Sequence, residues 1–492
     1  MPVMTKVLVL YTGGTIGMIP SDPANPASPL RPAPKEELVR FVPNPLNGIE
    51  WDIEGLVNDK DEPVGPIDSS NAGPDHWEWM ARAIEKRYAA YDGFIVLHGT
   101  DTMAYTASAL SFLLQNLAKP VVVTGSQLPI FQPRTDAIIN FTNALHIAGY
   151  KAVDLPCVPE VMICFADRLL RGDRTTKVST SKWTGFDTPN YPHLGSIGEH
   201  IVINTNAIRP EPDRQKTAFF IHKKLDRRVM NFALYPGMSI DQLKSVLELK
   251  GVRGYVLRTF GAGNAPENPD FLKVLGDAIK KGKVIINVTQ CLEGKVEMGL
   301  YAASSGLQAV GVISGMDMTA EAALAKLMWL LATEVEEEIP IQAQINQRGE
   351  QSENLFDVRY AGKGYASDPL TEAVTISARP SGQFAKERLV RGVVRFAGVG
   401  VTGAAKGEAV PFKLYVNLPS ADRDTGEGVP QFAGTLTETY TGDGEMTLIR
   451  DITPTLVNVA ETGRPINLTL VGPEGKGFWF GGTYLNLFTG AE

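Results

Sequence analysis

Two short stretches of this chain set threonine beside glycine just where an apolar run stops. Thr12-Gly13-Gly14-Thr15 follows the run VLVLY, and His98-Gly99-Thr100-Asp101-Thr102 follows FIVL. Glycine admits positive φ and close backbone approach, so each stretch also has a plain reading as a tight turn. Other stretches add polar groups. "PIDSSNAG" brings Asp68, Ser69 and Ser70, "TGSQ" follows the run VVV, and "ADRLLRGDRTTK" ends in Lys177. Threonine hydroxyls are weak nucleophiles at neutral pH and need a neighbouring base. A lysine beside Thr100 would supply one, with Asp101 orienting the lysine. Such a set suits acyl transfer, which also needs backbone N–H groups around the developing oxyanion; those near Gly14 and Thr100 are the candidates. His98 reads as a packed, hydrogen-bonded residue rather than a base, because the histidines are scattered and none sits in a Ser-His-Asp arrangement.

Positioning these groups together is the task of the elements between them. KVLVLY, DGFIVLHG, PVVVTGSQ and PEVMICFADR read as strands that are apolar on both faces, the signature of a parallel sheet covered by helices. Between them lie helical stretches. In "DTMAYTASALSFLLQNLAK", Met103, Ala107, Leu110, Leu114 and Leu117 recur at helical spacing. A doubly wound α/β domain over residues 1–200 follows, with its ligand outside the carboxyl ends of the strands. A polar stretch near 184–217 leads to a smaller α/β lobe over 215–350, and "GKGYASDP" at 362–369 reads as a linker. From 368 to 492 seven short β-type runs separated by turns predict an antiparallel, sandwich-like domain.

Composition removes several classes of function. A chain of 492 residues suits two or three domains, and 43% hydrophobic with 21% charged residues is globular. The net charge of −8 gives no basic footprint, so no nucleic-acid partner is expected. Cys157, Cys164 and Cys291 form neither a disulfide framework nor a zinc spacing, and buried free thiols are expected of the first two. No His and carboxylate cluster has metal-ligand spacing, TGGTIG lacks the dinucleotide glycine spacing, and no phosphate loop occurs, so no metal or cofactor is expected. The first strand begins too early for a leader peptide, and no apolar run approaches the ~20 residues of a membrane span. The expectation is a cytoplasmic protein with no membrane partner.

TGGTIG followed by DGFIVLHGTDTMAYTASALSFLL resembles the L-asparaginase family. VVVTGSQLP, RGDRTTK, LRTFGAGNAP and NVTQCLEGKV resemble its cytoplasmic, type I branch, and the likeness spans residues 4–350. It implies hydrolysis of the side-chain amide of asparagine to aspartate and ammonia, in a homodimer or homotetramer. By the same resemblance Thr15 is the acylated nucleophile, and Thr100, Asp101 and Lys177 support it. Ser69 and Ser70 then hold the substrate α-carboxylate, Asp101 takes the α-ammonium, and Gly14 lines the site. Thr12 is left as a structural turn residue. Type I relatives include members with a second, regulatory asparagine site, and Thr176 and Arg258 stand at the matching positions.

Two departures stand out. The family usually carries a tyrosine in the mobile segment after TGGTIG, and residues 18–50 contain none. The segment is rich in proline and reads as a lid. The C-terminal β-domain is absent from the ordinary family member; it faintly resembles the domain that ends plant-type polyphenol oxidases, and it has no histidine or cysteine for a copper site. Two other readings share these motifs: an ammonia-supplying subunit for tRNA-dependent amidation, and a catalytically weak amino-acid sensor or scaffold.

Overall fold

The computed structural model describes residues 4–489 except 23, 26–27, 34–36, 38–39, 210–217, 299–301, 337, 353–357, 365–366, 379–388, 441–445 and 462–463. The chain divides into two compact units, Met1–Ser352 and Glu353–Glu492. The first is built on a sheet of nine strands: β1 (Thr5–Tyr11), β2 (Ile49–Val57), β3 (Pro63–Val64), β4 (Gly93–Leu97), β5 (Val121–Thr124), β6 (Val161–Phe165), β7 (Arg168–Arg171), β8 (Gly195–Ile197) and β9 (Ile201–Ile203). Their order is β9-β8-β7-β6-β5-β4-β1-β2-β3. The run from β6 to β2 is parallel and the flanking pairs are antiparallel. Val7 to Leu10, Phe94 to Leu97 and Val121 to Val123 are fully buried, each side chain contributing about 1.5–3 kcal/mol of hydrophobic stabilisation. From β1 the chain moves to β2 on one side and returns to β4 on the other. That reversal opens a crevice at the carboxyl ends of β1 and β4, the place where such sheets bind ligands.

Helices α1 (Pro74–Arg87), α2 (Met103–Leu113) and α3 (Ala137–Ala148) accompany this sheet. α2 ends earlier than the apolar spacing predicts. Leu114 and Gln115 leave it as a short strand paired with Phe220–Ile221, and Asn116 turns the chain at φ 54°. Leu114 and Leu117 are buried all the same. A helix buried on nearly every face has no polar stripe to mark its end. The second lobe of this unit has four parallel strands in chain order, β10 (Val229–Ala233), β11 (Gly254–Thr259), β12 (Val284–Thr289) and β13 (Ile313–Ser314). With them run α4 (Ile240–Leu247), α5 (Pro269–Lys280), α6 (Ala302–Ala309) and α7 (Ala320–Thr333). Thr319 caps α7 by accepting from the Ala322 N–H. α7 packs on α2, with the Phe112 and Trp329 rings stacked at 5.6 Å.

A strap from Asn346 to Ser352 closes the unit through buried charges. Lys326 Nζ on α7 meets Glu350 at 2.7 Å with both side chains fully buried, and also donates to the Ala343 and Ile345 carbonyls. Burial lowers the Lys326 pKa, and the paired lysine outweighs burial to hold Glu350 below the usual carboxylate value. Arg174 donates to the Gly349 carbonyl at 2.6 Å and pairs with Asp317 at 2.8 Å.

The second unit has strands β14 (Val358–Lys363), β15 (Ala373–Ala378), β16 (Leu389–Val401), β17 (Ala409–Val416), β18 (Phe432–Thr439), β19 (Met446–Asp451), β20 (Ile466–Val471) and β21 (Phe478–Thr489). They form two antiparallel sheets, β14-β21-β16-β19 and β15-β20-β17-β18. Their inward faces share one core, in which the Phe412 and Phe478 rings meet edge to face at 5.4 Å. β14 runs into the stretch read as a linker, because its pairing with β21 is not visible in local composition. Helix α8 (Thr453–Val459) has no counterpart in the expected all-β pattern. Phe478 and Phe480 are core residues rather than part of a surface patch; Trp479 is half-buried over Gly400, and the Tyr484 side chain lies outside the described residues.

Candidate active site

Three loops meet at the crevice and interlock through backbone atoms. The Thr12 N–H and hydroxyl both donate to the Leu97 carbonyl, at 3.1 and 2.8 Å, which ties the end of β1 to the end of β4. Gly13 pairs with Ile67. The Ile67 N–H donates to the Thr12 carbonyl at 2.9 Å, and the Gly14 N–H donates to the Ile67 carbonyl at 3.1 Å. Gly13 and Gly14 take φ of 114° and 84°. A Cβ on Gly14 would fall on the Gly99 backbone, and one on Gly13 on the Ile67 carbonyl. These glycines therefore make room for neighbouring loops of the same chain, the close backbone approach that the sequence suggests. The Gly14 N–H, one of the expected oxyanion donors, is already taken by Ile67. The N–H groups of Thr15 and Thr100 donate to no backbone carbonyl among the described residues.

Thr15 opens a short 3₁₀ turn, Thr15–Gly17, and is half-buried. Ser69 lies under Gly99, close enough that a Cβ there would crowd its Oγ. The Thr102 hydroxyl donates to the Ser69 carbonyl at 2.7 Å. Asp68 caps the turn Ser69–Asn71, accepting from the Ser70 N–H and hydroxyl, both at 2.9 Å. Those two donors hold the Asp68 carboxyl below its ordinary pKa. Ser69 is buried and Ser70 exposed.

Lys177 enters from a two-residue strand, Thr176–Lys177, paired with Phe186–Asp187. β7 and a 3₁₀ turn separate it from the strand that the sequence placed just before it. Its Nζ donates to Thr100 Oγ1 at 2.9 Å and to Asp101 Oδ1 at 2.8 Å. Thr100 is 8% exposed, whereas the Asp101 side chain is 66% exposed and open to a ligand.

His98 is the packed residue the sequence suggests. Trp77 Nε1 donates to Thr106 Oγ1, which lies 2.9 Å from His98 Nε2; His98 Nδ1 lies 2.7 Å from the Gly99 carbonyl. An indole only donates and a carbonyl only accepts, so the direction of the whole chain is fixed: Nδ1 carries the proton. Burial pushes the His98 pKa down to about 4.

Thr176 Oγ1 donates to Glu321 Oε1 at 2.8 Å, with Glu321 in the first turn of α7. Burial raises the Glu321 pKa, and Arg258 acts on it electrostatically in the opposite sense. Arg258 Nε is buried with no hydrogen-bond partner among the described residues. Sequence reasoning missed Glu321, for which the Thr319 cap followed by an acidic first turn was a signal. It also missed Asp136, which accepts from the Gln127 and Leu128 N–H groups and fixes the TGSQ loop. Of the lid segment, Met18–Pro20 pairs with Leu30–Pro32, and several other positions lie outside the described residues. Tyr11 sits below it, donating to the Gly17 carbonyl, and burial pushes its pKa up to about 12. Cys164 is buried, Cys157 only partly so and Cys291 exposed, all three as free thiols. Among the described residues no His, Cys, Asp and Glu group could hold a metal, and no helix is long and apolar enough to cross a membrane.

The family model for "Asparaginase, N-terminal" matches residues 6–209, and that for "Glutaminase/Asparaginase C-terminal domain" matches residues 228–340. L-asparaginase 1 of Escherichia coli is 40% identical over 357 residues, covering 70% of this chain and 97% of that protein. The mouse 60 kDa lysophospholipase is 41% identical over 265 residues, 54% of this chain and 45% of its own. The crystal structure of L-asparaginase I from Vibrio cholerae superposes with a TM-score of 0.62 at 39% identity, covering 71% of this chain and all of that one. Both family models match within the first unit, where the interlocked loops and Lys177 are found. The chain belongs to the asparaginase family and is an amidohydrolase.

Proposed function

We propose that the protein hydrolyses L-asparagine to L-aspartate and ammonia through an acyl-enzyme on Thr15. The contact of Lys177 Nζ with both Thr100 and Asp101 carries this reading, because it joins a proton-relay pair to a carboxylate at the mouth of the crevice. In the first half-reaction Thr15 Oγ bonds to the amide carbon, its proton passes through the Thr100–Lys177 pair to the amide nitrogen, and ammonia leaves. Water then attacks the ester, giving its proton to the same pair, and Thr15 is released with aspartate. The N–H groups of Thr15 and Thr100 are the donors left for the tetrahedral oxyanion. Ser69 and Ser70 receive the α-carboxylate and Asp101 the α-ammonium, with Gly14 contributing backbone surface. The test is ammonia release from asparagine, glutamine and their D-isomers, joined to mass spectrometry of the quenched enzyme. An acyl adduct on the peptide holding Thr15 is expected; turnover with an adduct elsewhere contradicts the assignment.

Assembly as a homodimer or homotetramer in the cytoplasm belongs to the same proposal. Ile138 and Ile139 on α3, 39% and 59% exposed, and Val202, 59% exposed, offer apolar surface for it. Thr176 and Arg258 are proposed as an effector site, supported by the unpartnered Arg258 Nε beside Glu321. Asparagine kinetics should be sigmoidal in the parent and hyperbolic in Arg258→Ala; hyperbolic kinetics in the parent removes this site.

A further inference from the structure

Beneath the Arg171-Gly172-Asp173-Arg174 turn lies a cavity of about 140 Å³ that shares no residue with the crevice at β1 and β4. Its charged lining consists of Arg171, Arg209, Arg348, Glu160 and Asp173. Arg171 and Glu160 neutralise each other in a two-pronged pair at 2.6 and 2.9 Å. That leaves two guanidiniums and one carboxylate. Arg209 uses Nη1 on the Arg348 carbonyl, and Arg348 uses Nη1 on the Gln347 carbonyl. Among the described residues, Arg348 Nε is buried with no hydrogen-bond partner, and neither oxygen of Asp173, which is 1% exposed, accepts a hydrogen bond. Buried polar atoms without partners are rare in native proteins and are satisfied by water or a ligand.

We propose that this cavity binds a small oxyanion, such as sulfate or a small carboxylate, between Arg209 and Arg348, with protonated Asp173 donating a hydrogen bond to it. Guanidinium forks suit oxyanions, and the volume accommodates a four- or five-atom anion with water. The protonation states fit. Burial, together with Arg209, pushes the Arg348 pKa down to about 10 against the opposing pull of Glu350 and Asp173, so the guanidinium keeps its charge over the pH range used. Burial raises Asp173 to about 7; Arg171 and Arg209 oppose the rise, while Glu350 and Glu160 add to it. Arg348 and Lys326 also face this carboxyl. An ionised Asp173 would repel the anion and a neutral one donates to it, so binding takes up a proton. Asp173 lies in the 3₁₀ turn Gly172–Arg174 and Lys177 in the strand that follows it, four residues on, which makes the cavity a lever on the active-site lysine under the function proposed above.

Thermal shift and calorimetry on the full chain, with sulfate and acetate against chloride at matched ionic strength, test the site. Sulfate keeps its charge over the pH range used. If only the neutral Asp173 form binds, affinity at pH 8 should be about tenfold weaker than at pH 6. Arg348→Gln should abolish saturable binding. Asp173→Asn keeps shape and removes the charge, so its affinity should match the parent's pH 6 value at both pH values. A Thr15→Ala protein should bind as the parent does, which separates this site from the catalytic reading. Preference for acetate over sulfate identifies a metabolite carboxylate as the occupant, and the reverse an inorganic anion. Absence of saturable binding by either, or equal binding by parent and Arg348→Gln, overturns the proposal and leaves the cavity to water. If Arg348→Gln fails to fold, an Asp173→Asn affinity that still falls between pH 6 and 8 overturns it instead.

Discussion

Thr15, Thr100, Asp101 and Lys177 come from three separate segments, and only the last three touch in this structure. A relay that works as one unit loses most of its effect when any member is removed. Thr15→Ala and Lys177→Met should each lower kcat on the order of 10⁴-fold, with denaturation midpoints near the parent's. Near-normal ammonia release from either variant contradicts its role. The two buried titrating residues make a second prediction. His98 titrates near 4 when folded, below its ordinary 6.5, so the stability it confers is complete above about 6.5 and lost as the pH falls towards 4. Asp173 runs the other way, its contribution being full below about 3.8 and lost as the pH rises through about 7. Asp173→Asn removes that second trend, so its denaturation free energy should climb more steeply from pH 4 to 7 than the parent's. Parallel curves for the two proteins contradict the buried, raised carboxyl. At this scale the sequence was legible where residues stand side by side in the chain, as Thr100 and Asp101 do at Lys177. Glu321 and Thr176 are 145 positions apart, and nothing local announces that they meet.

Strands of the central sheet were legible because burial on both faces leaves an unbroken apolar run. The end of α2 was not, because the same burial hides the boundary at Leu113. Glycines in the crevice were noticed, but their cause lies in a partner loop: Gly14 answers to Gly99 and Gly13 to Ile67. The strap from Asn346 to Ser352 carried no sequence signal at all, since its meaning rests on Lys326 and Arg174 far upstream. Its charges give an element-scale prediction. Lys326→Met strands Glu350 in a fully buried site, which costs about 3–5 kcal/mol, whereas Lys326→Met with Glu350→Leu should recover most of that loss. Urea denaturation of the single and double variants reads both effects. A single variant as stable as the parent contradicts a buried ionic pair.

For the whole molecule, every residue of the proposed chemistry lies in Met1–Ser352. The β-unit supplies none of them and is expected to be an accessory module. Because β14 starts at Val358 and pairs with β21, a cut near residue 365 would leave an orphan strand, and the cut belongs after Ser352. The 1–352 fragment should fold and hydrolyse free asparagine at a rate near that of the full chain. A fragment that folds and assembles yet has no amidase activity would show that the β-unit completes the site. Sequence patterning marked this unit as all-β from its turns, and it missed β14 and α8, whose places are set by pairing and packing partners.

The strap also fixes how the gene can vary. Adding or deleting one codon between those for Ile345 and Glu350 would move Gly349 or Gln351 into the place opposite Lys326, leaving a lysine at zero exposure without its counter-charge. Adding codons after Ser352 leaves the register of this pair unchanged. From Ile345 to Ser352 the chain is thus counted out to the residue, and a linker, a tag or a second gene joined after Ser352 leaves the strap in register.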